Sequence, residues 1–560
     1  MPGYASERAF FVAICPEYIS AEHSTADTAS LGLGLRLGLS SFCPKETFRN
    51  LQTRDSQVAS LTNQLPQQKD FTPQASNTLW YLLVFLVIAL FLRMAVFFSF
   101  PSIYWADEIF QTQEPAHRLA YGPGVIPWEY LLGLRSWVLP AVIAGIMKCT
   151  AWLASGSSGY IFGTAFFFSL LSLTVVWFAF SWCRQYFGMQ YALLAAFTTT
   201  IWFELINFGP RALNELIAGN LFLPAIYLGS LKPDQKPESK WWLVFVGMLL
   251  GLTACLRMQF GPAVLVAGLW ILSRDWKVRF LPVTLGVSSV VMVFGIVDAI
   301  TWSYPFYSYY AYFRENIVHH RASGFGVLPW HYFLFSFFIH AGPLPIFALM
   351  GVRRSPILGW ISLAVLFPHL LIGHKEFRFI YPVLPLLLIL ASIGLIDFLQ
   401  FLERKTKLHP PLQARLLIAA SFVLACSLVL ASQFPRWDKA RGGLRAFSRL
   451  SEDPRACGVA VFKVHWWDTG GYTYLHRPIP LFFFPSFNDA DSVAQTFNRI
   501  VAPDSTAVPL QGYSPSSCRD GVCVYQREGS CQAGGAEYEI NEILKQEEFE
   551  TNETRKQKEE

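Results

Sequence analysis

The sequence predicts a polytopic α-helical membrane protein of about eleven spans, followed by a small soluble domain of α/β or β type. Hydrophobic residues make up 53% of the 560-residue chain and charged residues only 15%, whereas a soluble domain carries about 25% charged residues. Several apolar runs reach roughly 20 residues, which is enough to cross the hydrocarbon core of a bilayer. The net charge of +5 is too small to indicate nucleic-acid binding, and no basic patch with interleaved aromatic residues lies outside the apolar runs.

The N-terminal segment, residues 1–76, is rich in Ser, Thr and Gln and contains no apolar run long enough to span a membrane. It shows no secretory signal with a clean cleavage site. Its composition predicts a disordered cytosolic segment, with an organelle-targeting leader as the alternative.

The membrane region, residues 77–433, contains a series of apolar segments separated by polar loops. Predicted crossings lie near 78–100, 136–153, 158–181, 190–208, 212–230, 241–257, 262–273, 280–300, 331–350, 356–373, 379–400 and 414–432.

Basic residues mark cytosolic loops, and strict alternation from those loops assigns the others to the lumen. The basic clusters are 232–240, 274–279, 353–354 and 403–407. The luminal loops are then 101–135, 301–330 and 374–378, together with the chain after about residue 433. Four apolar segments separate the first luminal loop from the first basic loop, and an even number of crossings cannot join opposite sides. One of the four must therefore cross only halfway, and the 190–230 region is the candidate because Gly209, Pro210 and Arg211 interrupt it.

The chain after the last crossing, residues 434–545, is predicted to form a luminal soluble domain. Short β-branched and aromatic runs such as "TYLHRPIPLFFF" indicate strands. The cysteines of this segment suit two disulfides in an oxidising lumen. They are Cys457, Cys518, Cys523 and Cys531. A zinc site is the alternative, although the spacing lacks a Cys-x-x-Cys clamp.

The charged tail, residues 546–560, carries two signals that contradict each other. Asn552 begins an Asn-Glu-Thr sequon, which is usable only on the luminal side. Lys556 and Lys558 have the spacing of a dilysine retrieval signal, which is read in the cytosol. The predicted topology favours the luminal interpretation.

Most ionisable residues near span ends fall on the luminal side, where such costly groups are functional candidates. They are Asp107, Glu108, His117, Arg135, Arg257, Arg314, His319, His320, Arg321, His374, Lys375, Glu376 and Arg378. A carboxylate can deprotonate an attacking hydroxyl while Arg, Lys and His hold a departing phosphate. Asp107 and Glu108 stand out, because nothing structural requires two adjacent acids on that loop. Local pairing or snorkelling explains His117 and Arg135 equally well.

Other functional classes find less support. No Gly-x-Ser-x-Gly elbow, phosphate-loop lysine or His-Glu-x-x-His motif occurs. A secondary transporter would share the polytopic architecture, but it predicts an inverted repeat and binding residues at mid-bilayer. No repeat is visible and the charges crowd one membrane face. A non-catalytic membrane scaffold is a further alternative.

Several stretches resemble one enzyme family in order and spacing. "HKEFRFIYPVLPLLL" (374–388) resembles the His-Lys-Glu-x-Arg-Phe signature of the dolichyl-phosphate-mannose-dependent mannosyltransferases of the endoplasmic reticulum, glycosyltransferase family 22. "ADEIFQTQEPAHRLAYG" (106–122) resembles the family's first-loop pattern. Further matches are "PWEY…RS" (127–136), "DAITWSYPFYSYYAYFRENI" (298–317), "ASGFGVLPWHYF" (322–333) and, more loosely, "RALNE" (211–215). Trp105, Ala106 and Pro127 depart from the family pattern.

The resemblance implies a GT-C-like fold and assigns residues to roles. It places the catalytic base at Asp107, with Glu108 beside it as a second catalytic candidate. It assigns His374, Lys375, Glu376 and Arg378 to the donor-phosphate region. Further candidates for substrate binding are Arg257, Gln111, His117, Trp128, Glu129, Arg135, Arg211 and Asn316.

The implied activity is transfer of mannose from dolichyl-phosphate-mannose to a lipid-linked glycan, with inversion at the anomeric carbon. The sequence of residues 374–388 is most similar to family members that build GPI-anchor precursors. An N-glycan precursor is the alternative acceptor. We expect a multi-pass protein of the endoplasmic reticulum membrane with a luminal site. Its partners would be membrane lipid, a polyprenyl-phosphate sugar donor and a glycolipid acceptor. No metal or other cofactor is expected, because cationic side chains can hold the leaving phosphate.

Overall fold

The computed structural model describes residues 75–231, 240–407, 409–434, 437–484 and 486–559, without the side chains of 75–77, 552 and 554–559. All of them belong to one compact unit, Pro73–Glu560. The prediction for residues 1–76 lies almost entirely outside the described residues.

Each of the twelve predicted apolar segments contains one or two helices, so the helical prediction is confirmed. These helices are Ala75–Ser99, Val138–Thr150, Ser158–Tyr186, Met189–Ile201, Phe203–Phe208, Asn214–Ser230, Trp241–Leu256, Gly261–Leu272, Trp276–Thr301, Tyr332–Ala341, Leu344–Val352, Pro356–Leu371, Val383–Thr406 and Leu412–Gln433. Among the described residues, five helices are long and apolar enough to cross a membrane alone. A sixth span arises if the helices Tyr332–Ala341 and Leu344–Val352, bent by 110°, count as one.

Residues of the predicted basic clusters 274–279 and 403–407 lie at one end of the helix bundle, which we call the opposite end. There Arg279 donates to the carbonyl of Gly229 at 2.5 Å. Arg415 pairs with Glu403 at 2.6 Å, and Arg415 also contacts Gln190 at 3.1 Å. These contacts bring together residues that are distant in the sequence, whereas the predicted alternation of loops stays a prediction.

The prediction that a segment of the 190–230 region crosses only halfway is wrong. The helix that does not cross is Val138–Thr150. At its start, the indole of Trp302 donates to the carbonyl of Arg135 at 3.1 Å. Just after its end, Ser155 donates to Glu452 of the C-terminal domain at 3.2 Å. Both ends therefore lie at the same end of the bundle, which we call the site end.

The 190–230 region, in contrast, crosses the bundle twice. Gln190 lies at the opposite end, against Arg415, whereas Arg211 binds Glu108 in the first loop of the site end. The interruption at Gly209 and Pro210 is therefore a turn between two crossings. Because only five or six helical spans among the described residues are long and apolar enough to cross a membrane, the count of about eleven spans stays a prediction.

Glycines allow neighbouring helices to approach closely at two crossings. A Cβ atom on Gly286 would lie 2.0 Å from the carbonyl of Val244, in the contact between Trp241–Leu256 and Trp276–Thr301. A Cβ atom on Gly394 would lie 1.9 Å from the carbonyl of Phe347. Small residues at such contacts are typical of helices packed in a membrane.

The C-terminal domain is of α/β type, one of the two types predicted. Its strands are β1 Val459–Phe462, β2 Leu481–Phe484, β3 Arg499–Pro503, β4 Ser514–Arg519 and β5 Val522–Gln526. They form one sheet in the order β2-β1-β3-β5-β4, in which β1 is parallel to β2 and β3, and β5 is antiparallel to β3 and β4. Helices Arg441–Ser451 and Ile540–Glu559 complete the domain.

The four predicted cysteines form two disulfides, Cys457–Cys531 and Cys518–Cys523. The disulfide prediction is confirmed, and the zinc alternative is wrong because all four sulfur atoms are paired. Helix Ile540–Glu559 runs without a break across the predicted start of the tail at residue 546. The side chains of Asn552, Lys556 and Lys558 lie outside the described residues, so both tail signals stay predictions.

The C-terminal domain packs directly on the first loop of the site end. One apolar cluster contains Ile109 and Phe110 from that loop and Phe447, Val459 and Leu475 from the domain. Burial of apolar surface contributes roughly 25 cal/mol per Å², so this cluster stabilises the loop and the domain together. The residues on either side of Asp107 are thereby held in place.

Candidate active site

The candidate site is built around a contact between Asp107 and Arg378. Asp107 lies two residues before the buried π-helix Ile109–Gln113, and Arg378 lies in the 3-10 helix Phe377–Ile380. The guanidinium Nη2 of Arg378 lies 2.5 Å from Asp107 Oδ2, and its Nε lies 2.8 Å from Glu376 Oε2. The Asp107 side chain keeps 29% of its surface exposed, so an approaching hydroxyl group has access to its carboxylate.

Glu376 and Arg378 both keep their charges. Burial alone would raise the pKa of Glu376, but Arg378 and His374 outweigh it and lower that pKa to about 2. Burial alone would lower the pKa of Arg378, but Asp107, Glu376 and Glu215 raise it. Arg378 is therefore a permanent cation that links the first loop to the 374–378 loop.

A cavity of about 490 Å³ opens beside Asp107. Ten of the residues predicted for the site line it. They are Asp107, Gln111, Trp128, Glu129, Arg135, Arg257, Asn316, His374, Glu376 and Arg378. Residues far apart in the sequence thus converge on one cavity at the site end.

Three arginines give this cavity the character of an anion site. Buried N–H groups of Arg135 (Nε), Arg257 (Nε) and Arg378 (Nη1) have no hydrogen-bond partner within the described parts of the chain. Arg257 is only 6% exposed and pairs with Glu215 at 3.1 Å. Leaving such donors unsatisfied is costly, and an oxyanion in the cavity would satisfy them.

Glu108 points away from Asp107 although the two are adjacent. Its carboxylate pairs with Arg211 at 2.7 Å and accepts from the backbone amide of Tyr104 at 2.6 Å. Both Glu108 and Arg211 line a separate cavity of about 230 Å³. These two residues, predicted as catalytic and substrate-binding, therefore hold the first loop against the break at 208–213 and do not line the Asp107 cavity.

Two further predicted residues also lie outside the cavity. The Lys375 ammonium is buried among main-chain carbonyls and donates to that of His369 at 3.0 Å. His117 contacts the carbonyl of Pro123 at 2.8 Å and the imidazole of His476 at 3.0 Å. Burial lowers the pKa of His117 to about 4, so a neutral imidazole at this contact joins the first loop to the C-terminal domain.

Sequence reasoning missed several residues that line the cavity. Gln259 and Tyr312 hydrogen-bond each other at 2.6 Å beside Arg135 and Arg257. Lys439 and Trp467 come from the C-terminal domain, beyond the stretches that carry the motifs. Within the described residues, no group of three or more His, Cys, Asp or Glu side chains could hold a metal ion.

His374 should give the enzyme a pH dependence on the alkaline side. Its hydrogen bond to Glu376 raises the pKa of His374, against a smaller opposing effect of burial. The imidazolium charge is therefore present at low pH and lost as the pH rises through that raised pKa. We expect the KM for an anionic donor to rise over this range, and we expect His374→Gln to remove the dependence. Donor KM measured between about pH 6 and pH 9 tests this, with His409→Gln at the opposite end as control. An unchanged pH profile in His374→Gln would contradict it.

Known proteins with similar sequences and folds agree with this geometry. Residues 80–476 match the Alg9-like mannosyltransferase family. The chain is 27% identical to "GPI mannosyltransferase 3" of Yarrowia lipolytica over 71% of its own length and 76% of that protein. It is 24% identical to "GPI alpha-1,2-mannosyltransferase 3" of Bos taurus, over 72% and 73%. Among solved structures, ArnT from Cupriavidus metallidurans bound to undecaprenyl phosphate matches with a TM-score of 0.55 at 13% identity, covering 82% of this chain and all of ArnT.

The fold neighbour confirms the predicted GT-C architecture, and the family match covers well over half of the chain. An enzyme family at this coverage also removes the transporter and scaffold alternatives. The chain therefore belongs to the Alg9-like mannosyltransferase family and is a glycosyltransferase.

Proposed function

We propose that the protein transfers mannose from dolichyl-phosphate-mannose to a lipid-linked GPI-anchor precursor. The observation that carries the proposal is the convergence of the accessible Asp107 carboxylate and three guanidinium groups on a single cavity. The names of the similar proteins from Yarrowia lipolytica and Bos taurus support a GPI precursor as the acceptor.

Asp107 acts as the general base. Its free Oδ1 takes the proton from an acceptor hydroxyl, while Arg378 holds Oδ2. The acceptor oxygen attacks the anomeric carbon of mannose from the face opposite the phosphate, and the bond between that carbon and the phosphate oxygen breaks. Dolichyl phosphate leaves with the electron pair as a stable anion, so no general acid is required. The donor is β-linked and a single displacement inverts it, so the product is α-linked.

Arg135, Arg257 and Arg378 bind the leaving phosphate. Arg257 and Arg378 are held in place by Glu215 and Glu376, so little reorganisation is needed as negative charge develops on the phosphate oxygens. The interaction is strengthened by the low dielectric of the surroundings at the end of a membrane bundle. Glu376 keeps Arg378 oriented through its 2.8 Å contact.

The position of the cavity suits two lipid-borne substrates. It lies at the site end of the helices, where the head of a polyprenyl-linked sugar would project from the bilayer while its tail stays in the membrane. The two disulfides of the neighbouring domain support an oxidising compartment. We infer an endoplasmic reticulum membrane protein with its site in the lumen.

A reconstituted transfer assay tests the proposed function. The purified enzyme, in vesicles with dolichyl-phosphate-mannose, would be given GPI precursors and N-glycan precursors of increasing mannose content. We expect mannose transfer to one GPI precursor and an α-linkage in the product. Transfer only to an N-glycan precursor would refute the GPI acceptor, and transfer to neither would refute the proposed function.

New glycosylation sites test the inferred topology. Glu528→Asn creates an Asn-Gly-Ser sequon on an exposed turn of the C-terminal domain, and Arg404→Asn creates an Asn-Lys-Thr sequon at the opposite end. Because glycans are attached only in the lumen, we expect a deglycosylation-sensitive shift on gels for Glu528→Asn and none for Arg404→Asn. Each variant also carries Asn552→Gln, which removes the natural sequon, so that any shift arises from the new site alone. The reverse pattern would show that the site end faces the cytosol.

A further inference from the structure

Two residues of the C-terminal domain complete the wall of the catalytic cavity. Lys439 follows the last membrane helix, and Trp467 lies in the 3-10 helix Trp466–Asp468. Trp467 is 37% exposed, so part of its indole is accessible from the cavity that it lines. Both residues belong to the C-terminal domain, whereas the phosphate-binding arginines come from the membrane bundle and its loops.

Contacts with neighbouring rings fix the position of Trp467. Its indole stacks on the His465 ring at 4.5 Å with an interplanar angle of 6°. The adjacent Trp466 packs edge-to-face against Phe110 at 4.6 Å, and Phe110 lies three residues after Asp107. The half-exposed indole is therefore anchored to the loop that carries the catalytic base.

Lys439 is also anchored to the first loop through its main chain. Its carbonyl accepts a hydrogen bond from the backbone amide of Ile103 at 3.0 Å. Its ammonium group lies close to Asp468, where burial raises the pKa of the carboxyl group and the Lys439 charge opposes that rise. A lysine ammonium has three donors and a full positive charge, so it can bind phosphate or hydroxyl oxygens in the cavity.

This chemistry fits a glycan better than a lipid tail. An exposed indole offers a flat apolar face with a polar edge, which suits the C–H face of a hexose ring. A neighbouring ammonium suits the oxygen substituents of the same sugar chain. The donor brings one mannose, which must lie between Asp107 and the arginines. Trp467 and Lys439, which line the same cavity, are then available to the acceptor.

We propose that Trp467 and Lys439 form an acceptor-glycan subsite, in which Trp467 stacks under a hexose ring and Lys439 binds oxygen atoms of the same glycan. The proposal rests on the proposed function, because it requires a glycan acceptor. It assigns the C-terminal domain a part in substrate recognition. The oxygen atoms bound by Lys439 belong to hydroxyl or phosphate groups of the acceptor and not to the donor phosphate.

Separate KM values for donor and acceptor test the subsite. The full-length enzyme in vesicles would be assayed with dolichyl-phosphate-mannose and the GPI precursor that the wild type uses. We expect Trp467→Ala to raise the acceptor KM about tenfold or more, equivalent to the loss of one good contact, with donor KM within about twofold. Lys439→Met should also raise acceptor KM. Trp467→Phe and Lys439→Arg should restore part of the affinity, which a purely structural role would not predict.

Control variants and contrary outcomes distinguish an acceptor subsite from a donor-binding or purely structural role. Trp152→Ala, 79% exposed at the site end, and Lys463→Ala in the C-terminal domain should leave both KM values unchanged. A rise in donor KM for Lys439→Met would assign Lys439 to the donor phosphate and overturn the proposal. Unchanged acceptor KM in Trp467→Phe, Trp467→Ala and Lys439→Met would overturn it while leaving the proposed function intact. A wild type that uses no glycolipid acceptor would overturn both.

Discussion

Asp107→Asn should reduce mannose transfer by about 10²–10⁴-fold, the usual contribution of a positioned general base. The amide is nearly isosteric with the carboxylate and still offers an oxygen to Arg378, which lies 2.5 Å away in the wild type. The variant should therefore fold and bind donor, yet it cannot accept the proton of the attacking hydroxyl. Single-turnover transfer with radiolabelled mannose on the donor measures this step directly.

The neighbouring acid supplies a matched control for this experiment. Glu108→Gln also replaces a carboxylate by an amide, but Glu108 pairs with the buried Arg211 and faces the separate cavity. We expect it to lower thermal stability, because a buried ion pair is broken, while the folded fraction transfers mannose at close to the normal rate. Equal transfer by Asp107→Asn and the wild type would remove Asp107 from the mechanism. A large loss of turnover in Glu108→Gln without loss of stability would show that Glu108 takes part in catalysis.

The membrane architecture was predictable because its physical constraint is simple. A crossing needs about 20 apolar residues, and every predicted segment contains helix. The half-crossing was misplaced because Gly209 and Pro210 look like a break within one span, whereas they form a turn between two. Helix Val138–Thr150 was identified only by the contacts at its two ends, with Trp302 and with Glu452, which the sequence does not reveal.

The sequence could not predict which side chains of the site loops point into the cavity. Asp107 and Glu108 are adjacent, but successive residues of a helical turn point about 100° apart. One therefore lines the cavity and the other pairs with Arg211. Lys375 shows the same effect within the 374–378 loop, where its ammonium turns into main-chain carbonyls. A motif places residues in one loop, and only the backbone conformation decides which of them meet the substrate.

The contribution of the C-terminal domain was hidden for a different reason. Lys439 and Trp467 lie some 330 to 360 positions after Asp107 in the printed sequence, with no spacing that relates them to it. Their contacts with Ile103 and, through Trp466, with Phe110 arise from tertiary packing. Glu114 contributes to the same packing, because it connects the first loop to the C-terminal domain.

The fully buried Glu114 side chain ties the first loop to the C-terminal domain. Its carboxylate accepts hydrogen bonds from the backbone amides of Val125 at 2.8 Å, Tyr472 at 2.8 Å and Thr473 at 2.7 Å. It also accepts from the Thr473 hydroxyl at 2.6 Å. Burial raises the pKa of Glu114 to about 6, although these hydrogen bonds oppose the rise.

Glu114→Ala should destabilise the enzyme strongly, because it leaves three buried amides without an acceptor. Each unsatisfied buried donor costs about 1–3 kcal/mol, so we expect the midpoint of thermal unfolding to fall by about 5 °C or more. Activity should fall with it, since Asp107 precedes Glu114 in the same loop. Glu114→Gln keeps one oxygen acceptor and should cost less. Thermal unfolding in one detergent, with exposed Glu542→Ala as control, measures both.

A second substitution, at Gly471, tests whether Glu114 makes the contact with the C-terminal domain. A Cβ atom there would lie 2.7 Å from Glu114 Oε1, and the backbone φ of +58° is one that side chains rarely adopt. Gly471→Ala should therefore destabilise the wild type through both the clash and the backbone strain. In a Glu114→Ala background the clash disappears, so the same substitution should cost measurably less. Additive losses in the double-mutant cycle would mean that Glu114 and Gly471 do not interact, and that the first loop is attached to the C-terminal domain by other contacts.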